Sequence, residues 1–173
     1  MTLDPHQLDA KGKKAFAEKK YNEAADFFLQ AAEGFTAGRA GLLAAEMKNN
    51  QSVALVQAGK PQEALDAVLE TDKVFEGAQD IKRQAMALGN QAAALEGLNK
   101  YDAAIEKYEH SAALFGSVDE GDLQAMVMKS AAALKLKTGK ITESAFKMMG
   151  YMDVKKTPTL FERIMKFLLR FIK

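Results

Sequence analysis

A chain of 173 residues is long enough for one domain with its own hydrophobic core, without disulfides or metals to hold it. It has no cysteine and only two histidines, His6 and His110, far apart in sequence, so disulfides, thiolate sites, thiol nucleophiles and histidine metal cages are excluded. Lysine and arginine (24) balance aspartate and glutamate (23) to a net charge of +1, which offers no general surface for nucleic acid.

The chain opens without the apolar stretch of a cleaved signal peptide, which gives the expectation of a cytoplasmic protein. Frequent alanine, three prolines and no tryptophan suit helices better than sheet. Apolar residues recurring every three or four positions predict helices near residues 5–18, 22–36, 40–58, 61–76, 80–98, 101–116, 120–138 and 141–153. Gly59 and Gly139 stand just past helical stretches, where a left-handed residue ends a helix. Pro61 falls in the first turn of the next helix, where a missing N–H does no harm. Asp119, Glu120 and Asp122 open a helix and meet the positive end of its dipole, so no calcium loop is needed to explain them.

These elements repeat. The turns Lys20-Tyr21, Lys60-Pro61, Lys100-Tyr101 and Lys140-Ile141 are each 40 residues apart, with no gap. After each comes a small residue (Ala24, Ala64, Ala104, Ser144) and then a large one (Phe28, Val68, Tyr108, Met148). Phe35, Phe75 and Phe115 keep the same interval, as do Asn50 and Asn90. Small residues permit close helix crossing, and the large ones fill the space beside them, so the pattern predicts antiparallel helix pairs stacked in series.

Gly12, Tyr21, Ala24, Phe28 and Ala31, and again Asn90, Leu95, Tyr101, Ala104 and Tyr108, reproduce the spacing of the tetratricopeptide repeat, the family this chain resembles over residues 5–153. The resemblance implies an all-α, right-handed solenoid of four hairpins, at about 5–36, 40–76, 80–116 and 120–153; the residues beyond it, 157–173, read separately as a C-terminal amphipathic helix. Two departures stand out. The 40-residue period exceeds the family's usual ~34 and implies longer helices, and the fourth unit carries Ser144 and Met148 at its signature positions.

In this family the first helix of each pair lines a concave surface that takes a peptide or a partner helix. Carried onto this chain, that surface holds Asp9, Lys13 and Phe16 in the first unit, and Glu46, Asn49, Asn50, Val53 and Gln57 in the second. It continues with Met86, Asn90 and Glu96 in the third, and Met126, Lys129 and Lys137 in the fourth. An asparagine amide offers donors and an acceptor to a ligand backbone, although it serves equally well to bridge neighbouring helices. The paired cations with which some relatives clamp a terminal carboxylate are missing, because Met86 and Asn90 stand at two of the positions. Met86 and Met126 suit an adaptable apolar surface, whereas Met128 is expected to fill core.

The tail is unlike the rest. On a helical wheel of about 100° per residue, Glu162, Arg163, Lys166, Arg170 and Lys173 form one narrow strip. Phe161, Ile164, Phe167, Leu168 and Phe171 lie on the broad apolar remainder. Such a helix reaches about 22 Å, short of a hydrocarbon core of about 30 Å, so it is too short to cross a bilayer. Three arrangements fit the tail: insertion into an anionic membrane surface, folding back onto its own domain, or pairing with a second copy.

The expected function is therefore a non-catalytic adaptor binding a protein or peptide in the groove, without a cofactor, catalytic residue or metal, and peripheral to a membrane if the tail binds lipid. The alternative is a small apolar-ligand binder or an accessory subunit of an enzyme complex, using a pocket between groove and tail. If the tail binds membrane, the full-length protein sediments with anionic liposomes and deletion of 157–173 abolishes this; failure of the full-length protein to sediment removes the membrane arrangement.

Overall fold

The computed structural model describes residues 4–140. The predicted helix at 141–153 and the tail at 157–173 lie outside the described residues. By internal packing the chain divides into two units, residues 1–131 and 132–173. Among the described residues every element is helical: α1 (Pro5–Ala17), α2 (Tyr21–Ala37), α3 (Gly41–Gln57), α4 (Pro61–Val68), α5 (Thr71–Gly77), α6 (Ile81–Gly97), α7 (Tyr101–Ser117) and α8 (Gly121–Lys137). Within the first unit α1 to α4 pack in succession, α5 packs on α3 and α6, and α6 packs on α3, α4 and α7. None of the described helices is long and apolar enough to cross a membrane.

The helices end alike. Lys19, Arg39, Gly59, Gln79, Asn99, Asp119 and Gly139 all have left-handed φ of +57° to +75°, at an interval of 20 residues. The N–H of the following residue reaches back five positions, to the carbonyls of Ala15, Phe35, Leu55, Phe75, Leu95 and Phe115 in turn, at 2.8–3.0 Å. This is the Schellman helix stop, which satisfies carbonyls that a helix end otherwise leaves open. The six residues whose carbonyls accept are all buried, so each turn is pinned to the core. The residue closing one helix is also the N-cap of the next: the carbonyls of Lys20, Ala40, Lys60, Asp80, Lys100 and Glu120 each accept the first bond of the following helix. Of these, Asp80 adds a side-chain cap, accepting the Arg83 backbone N–H at 2.9 Å.

Alternating 17-residue helices and three-residue turns account for the long period. The small positions read from the sequence are where helices meet: Ala24, Ala64 and Ala104 are fully buried. Gly12 shows the closeness required, since a Cβ there would stand 2.7 Å from the Phe28 ring. A continuous apolar core runs from Leu8 through Phe28, Phe35 and Leu55 to Ala64 and Ala94. Between α6 and α7 the Tyr108 hydroxyl bonds the Glu96 carboxylate at 3.0 Å. Burial first, and then the Glu96 charge, pushes the phenol's pKa well above its ordinary value.

One expected helix is broken. The pattern predicts a single helix over 61–76, but the chain turns at Leu69 (φ −58°, ψ 135°) and Glu70 (φ 66°, ψ −1°), the geometry of a type II turn. The cause is a buried polar cluster that takes over a helix carbonyl. The Thr71 hydroxyl donates to the Val68 carbonyl at 2.9 Å, with Asn49 Oδ1 a weaker shared acceptor at 3.3 Å. Gln91 Nε2, from α6, approaches the same carbonyl at 3.4 Å and bonds Asp72 Oδ1 at 2.7 Å. The position of Thr71 is occupied by Ala31 in α2, which has no such group, and by Ser111 in α7, whose hydroxyl bonds the Ala85 carbonyl instead at 2.7 Å. Elsewhere among the described residues the Thr36, Ser117 and Thr138 hydroxyls also bond carbonyls of their own helices, but near helix ends, whereas the Val68 carbonyl is met by side chains from two helices.

The helix stops carry a prediction. Gly59 has φ of +75° and nothing within 4 Å of an added Cβ, so Gly59→Ala tests the backbone alone. It should lower stability by about 1 kcal/mol, read as a lower urea midpoint, while Arg39→Gly should raise the midpoint by less. An unchanged midpoint for Gly59→Ala contradicts the left-handed stop.

Candidate functional site

The first helices α1, α3 and α6 share a face. Two depressions lie along it. One, of about 190 Å³, is walled by Lys13 and Phe16 from α1, Phe28 from α2, and Asn50 and Val53 from α3. The other, of about 120 Å³, is walled by Ser52, Val53, Val56 and Gln57 from α3 with Asn90 and Ala93 from α6. Val53 belongs to both and separates them.

Six of the residues carried over from the repeat pattern thus meet here: Lys13, Phe16, Asn50, Val53, Gln57 and Asn90. The exposed Met86, Met126 and Lys129 stand on α6 and α8 and line neither depression. Asn49 is placed differently from the expectation. It is buried, and its Oδ1 faces Thr71 and, at 3.5 Å, Asn90 Nδ2. Adjacent residues on a helix point about 100° apart, and here Asn50 lines the α1–α3 depression while Asn49 is turned inward. Met128 also departs from expectation: it is 55% exposed, because its neighbour Val127 takes the buried position, near Gly89 of α6. The contact residues proposed for the tail, Phe161, Ile164, Phe167, Leu168, Phe171, Arg163, Lys166 and Arg170, lie outside the described residues.

Phe28, Ser52, Val56 and Ala93 complete the walls, although the sequence reading did not assign them to the face. Two of them were available from the period, since Ala93 is one interval beyond Val53 and Val56 one beyond Phe16. Phe28 belongs to a second helix and enters through the space that Gly12 leaves.

The two amides differ in occupation. Asn90 Nδ2 makes a long contact to Asn49, leaving its Oδ1 unused. Asn50 has no hydrogen-bond partner among the described residues. Ser52 is fully buried with its Oγ likewise unpartnered.

Several charges on this face are paired, although Asp9 Oδ1 is buried without a partner among the described residues. Lys13 Nζ is 2.7 Å from Asp9 Oδ2. Arg83 joins α6 to α3 by bonding Asp80 at 2.7 Å and Glu46 at 3.2 Å, and its guanidinium lies 5.2 Å from the centre of the Phe75 ring. The Arg83 backbone N–H, helped by its guanidinium, holds the Asp80 carboxyl below its ordinary pKa. His6 packs edge-on against Phe35 at 4.9 Å, far from any nucleophile–base geometry. Among the described residues no three acidic or histidine side chains gather as a metal site. What the face can do chemically is accept apolar side chains and exchange hydrogen bonds with a neutral backbone.

Against known proteins, the chain matches no family model and no curated protein sequence.

Proposed function

We propose that this chain is a non-catalytic adaptor of the tetratricopeptide type, a right-handed stack of hairpins that holds a peptide or helix against α1, α3 and α6. The observation that carries this reading is Asn50: a half-buried amide in the wall of an apolar depression, with no partner among the described residues. Buried and half-buried polar groups ordinarily find a partner within their own chain, and one left open beside an apolar hollow is suited to an incoming backbone. Asn90 repeats the arrangement one interval on, with its carbonyl free. In the same reading the basic, apolar tail at 157–173 holds the adaptor at an anionic membrane surface.

The double substitution Asn50→Ala with Asn90→Ala should weaken binding of an identified protein partner about 30-fold. That is the worth of two hydrogen bonds of about 1 kcal/mol each. Helicity by circular dichroism should be unchanged, since neither amide holds a helix in place. Undiminished affinity removes the assignment of the groove.

A further inference from the structure

The break at Leu69 and Glu70 is accompanied by a further hollow, of about 200 Å³, that shares no residue with the two depressions on the first-helix face. It lies between α2, α3 and the turn joining α4 to α5. Gly41, Ala44 and Ala45 line it from α3, Leu69 from the turn and Val74 from α5.

The hollow has two causes. One 40-residue interval on, the positions of Gly41, Ala44 and Lys48 are held in α6 by Ile81, Gln84 and Leu88, and Gln84 and Leu88 are buried. The first half of α3 therefore lacks side-chain volume that α6 has. The second cause is the turn, where extended backbone at Leu69 and left-handed backbone at Glu70 take the chain out of its helical path.

The lining favours an apolar occupant. The two hydroxyls in the wall are engaged within their own segments: Thr36 donates to the Ala32 carbonyl at 2.8 Å and Thr71 to the Val68 carbonyl at 2.9 Å. Leu69 is 58% exposed and Val74 42% exposed, so covering them with apolar surface is favourable. A cavity of about 150 Å³ is enough to hold benzene, so this one has room for a large side chain.

The rim adds a sign of charge. Of its two ionic residues, Glu70 pairs with Lys73 at 2.7 Å. Lys48 is exposed, with no ion pair or hydrogen bond among the described residues. Two cations thus stand against one anion, which is complementary to a carboxylate.

We propose that this hollow is a second docking site, which takes one leucine or isoleucine side chain from an acidic partner segment carrying aspartate or glutamate beside it. The aliphatic side chain fills the space that Gly41 and Ala44 leave, and the carboxylate meets Lys48. The site is independent of the groove between the first helices.

The test uses the isotope-labelled full-length chain, titrated with blocked tetrapeptides and followed by amide chemical shifts. Acetyl-Ala-Leu-Glu-Ala-amide should move the signals of residues 41–48 and 69–74 and saturate. Leucine replaced by alanine should weaken binding about tenfold, and glutamate replaced by lysine about fivefold.

Gly41→Ile should abolish binding with helicity intact. Nothing stands within 4 Å of a Cβ at Gly41, and isoleucine already occupies the equivalent first position of α6 at Ile81, so the fold tolerates it. Lys48→Glu should reverse the order of the glutamate and lysine peptides. Shifts confined to the α1, α3 and α6 face, equal binding of the two charged peptides, or binding that survives Gly41→Ile overturns this inference and leaves the groove in place. Self-association of the free chain that Gly41→Ile abolishes also overturns it, by making a second copy the occupant.

Discussion

Everything in the described structure follows from how one helix hands the chain to the next. A single residue with left-handed φ, one every 20 residues from Lys19 to Asp119, ends α1, α2, α3, α5, α6 and α7 in turn and reverses the chain. The backbone N–H that follows it is bonded to the carbonyl of a buried residue, so the turn and the core are fixed by the same contact. Three residues are too few to permit a choice of exit direction, and because the turn is repeated the successive hairpins have similar geometry. First helices therefore come round to the same face, and the face that carries α1 also carries α3 and α6.

That geometry brings Phe16, Val53 and Asn90 to one surface although they come from three helices. It also explains the demand for small residues: Ala24, Ala64 and Ala104 are buried where paired helices cross, and Gly12 admits the Phe28 ring. The broken second helix is consistent with the same rule. The turn at Leu69 and Glu70 is absorbed within the hairpin, and α5 still ends at Gly77 with its stop at Gln79. Asn49, Thr71 and Gln91 use their polar groups on this internal joint, which leaves Asn50 as the amide turned to the face.

Much of this was legible in the sequence, and the parts that were not have physical reasons. The 40-residue interval, the stops at Gly59 and Gly139, the start at Pro61 and the buried alanines depend on local chemistry that a residue type announces. The stops at Lys19, Arg39 and Gln79 do not announce themselves, because any L-residue can be held at positive φ when two hydrogen bonds compensate a cost of about 1–2 kcal/mol. The 20-residue rhythm of the backbone was therefore hidden inside the 40-residue rhythm of the side chains. The break at residues 69–70 depends on Gln91, which is distant along the chain, so no window around α4 contains its cause. Choosing between Asn49 and Asn50 requires the rotation of α3 about its axis to be known within one residue, and an alanine-rich helix with apolar groups on several sides does not fix that from periodicity alone.

The claim on which the account stands is that the chain turns through a left-handed residue at each 20-residue step. Backbone NMR on the full-length protein reads this directly, through Cα chemical shifts and HN–Hα couplings. Left-handed φ at residues 19, 39, 79, 99 and 119, flanked on both sides by helical values, is the result the account predicts. Right-handed helical values running through any of these positions would mean two helices joined into one rod, and the shared face of α1, α3 and α6 would not exist.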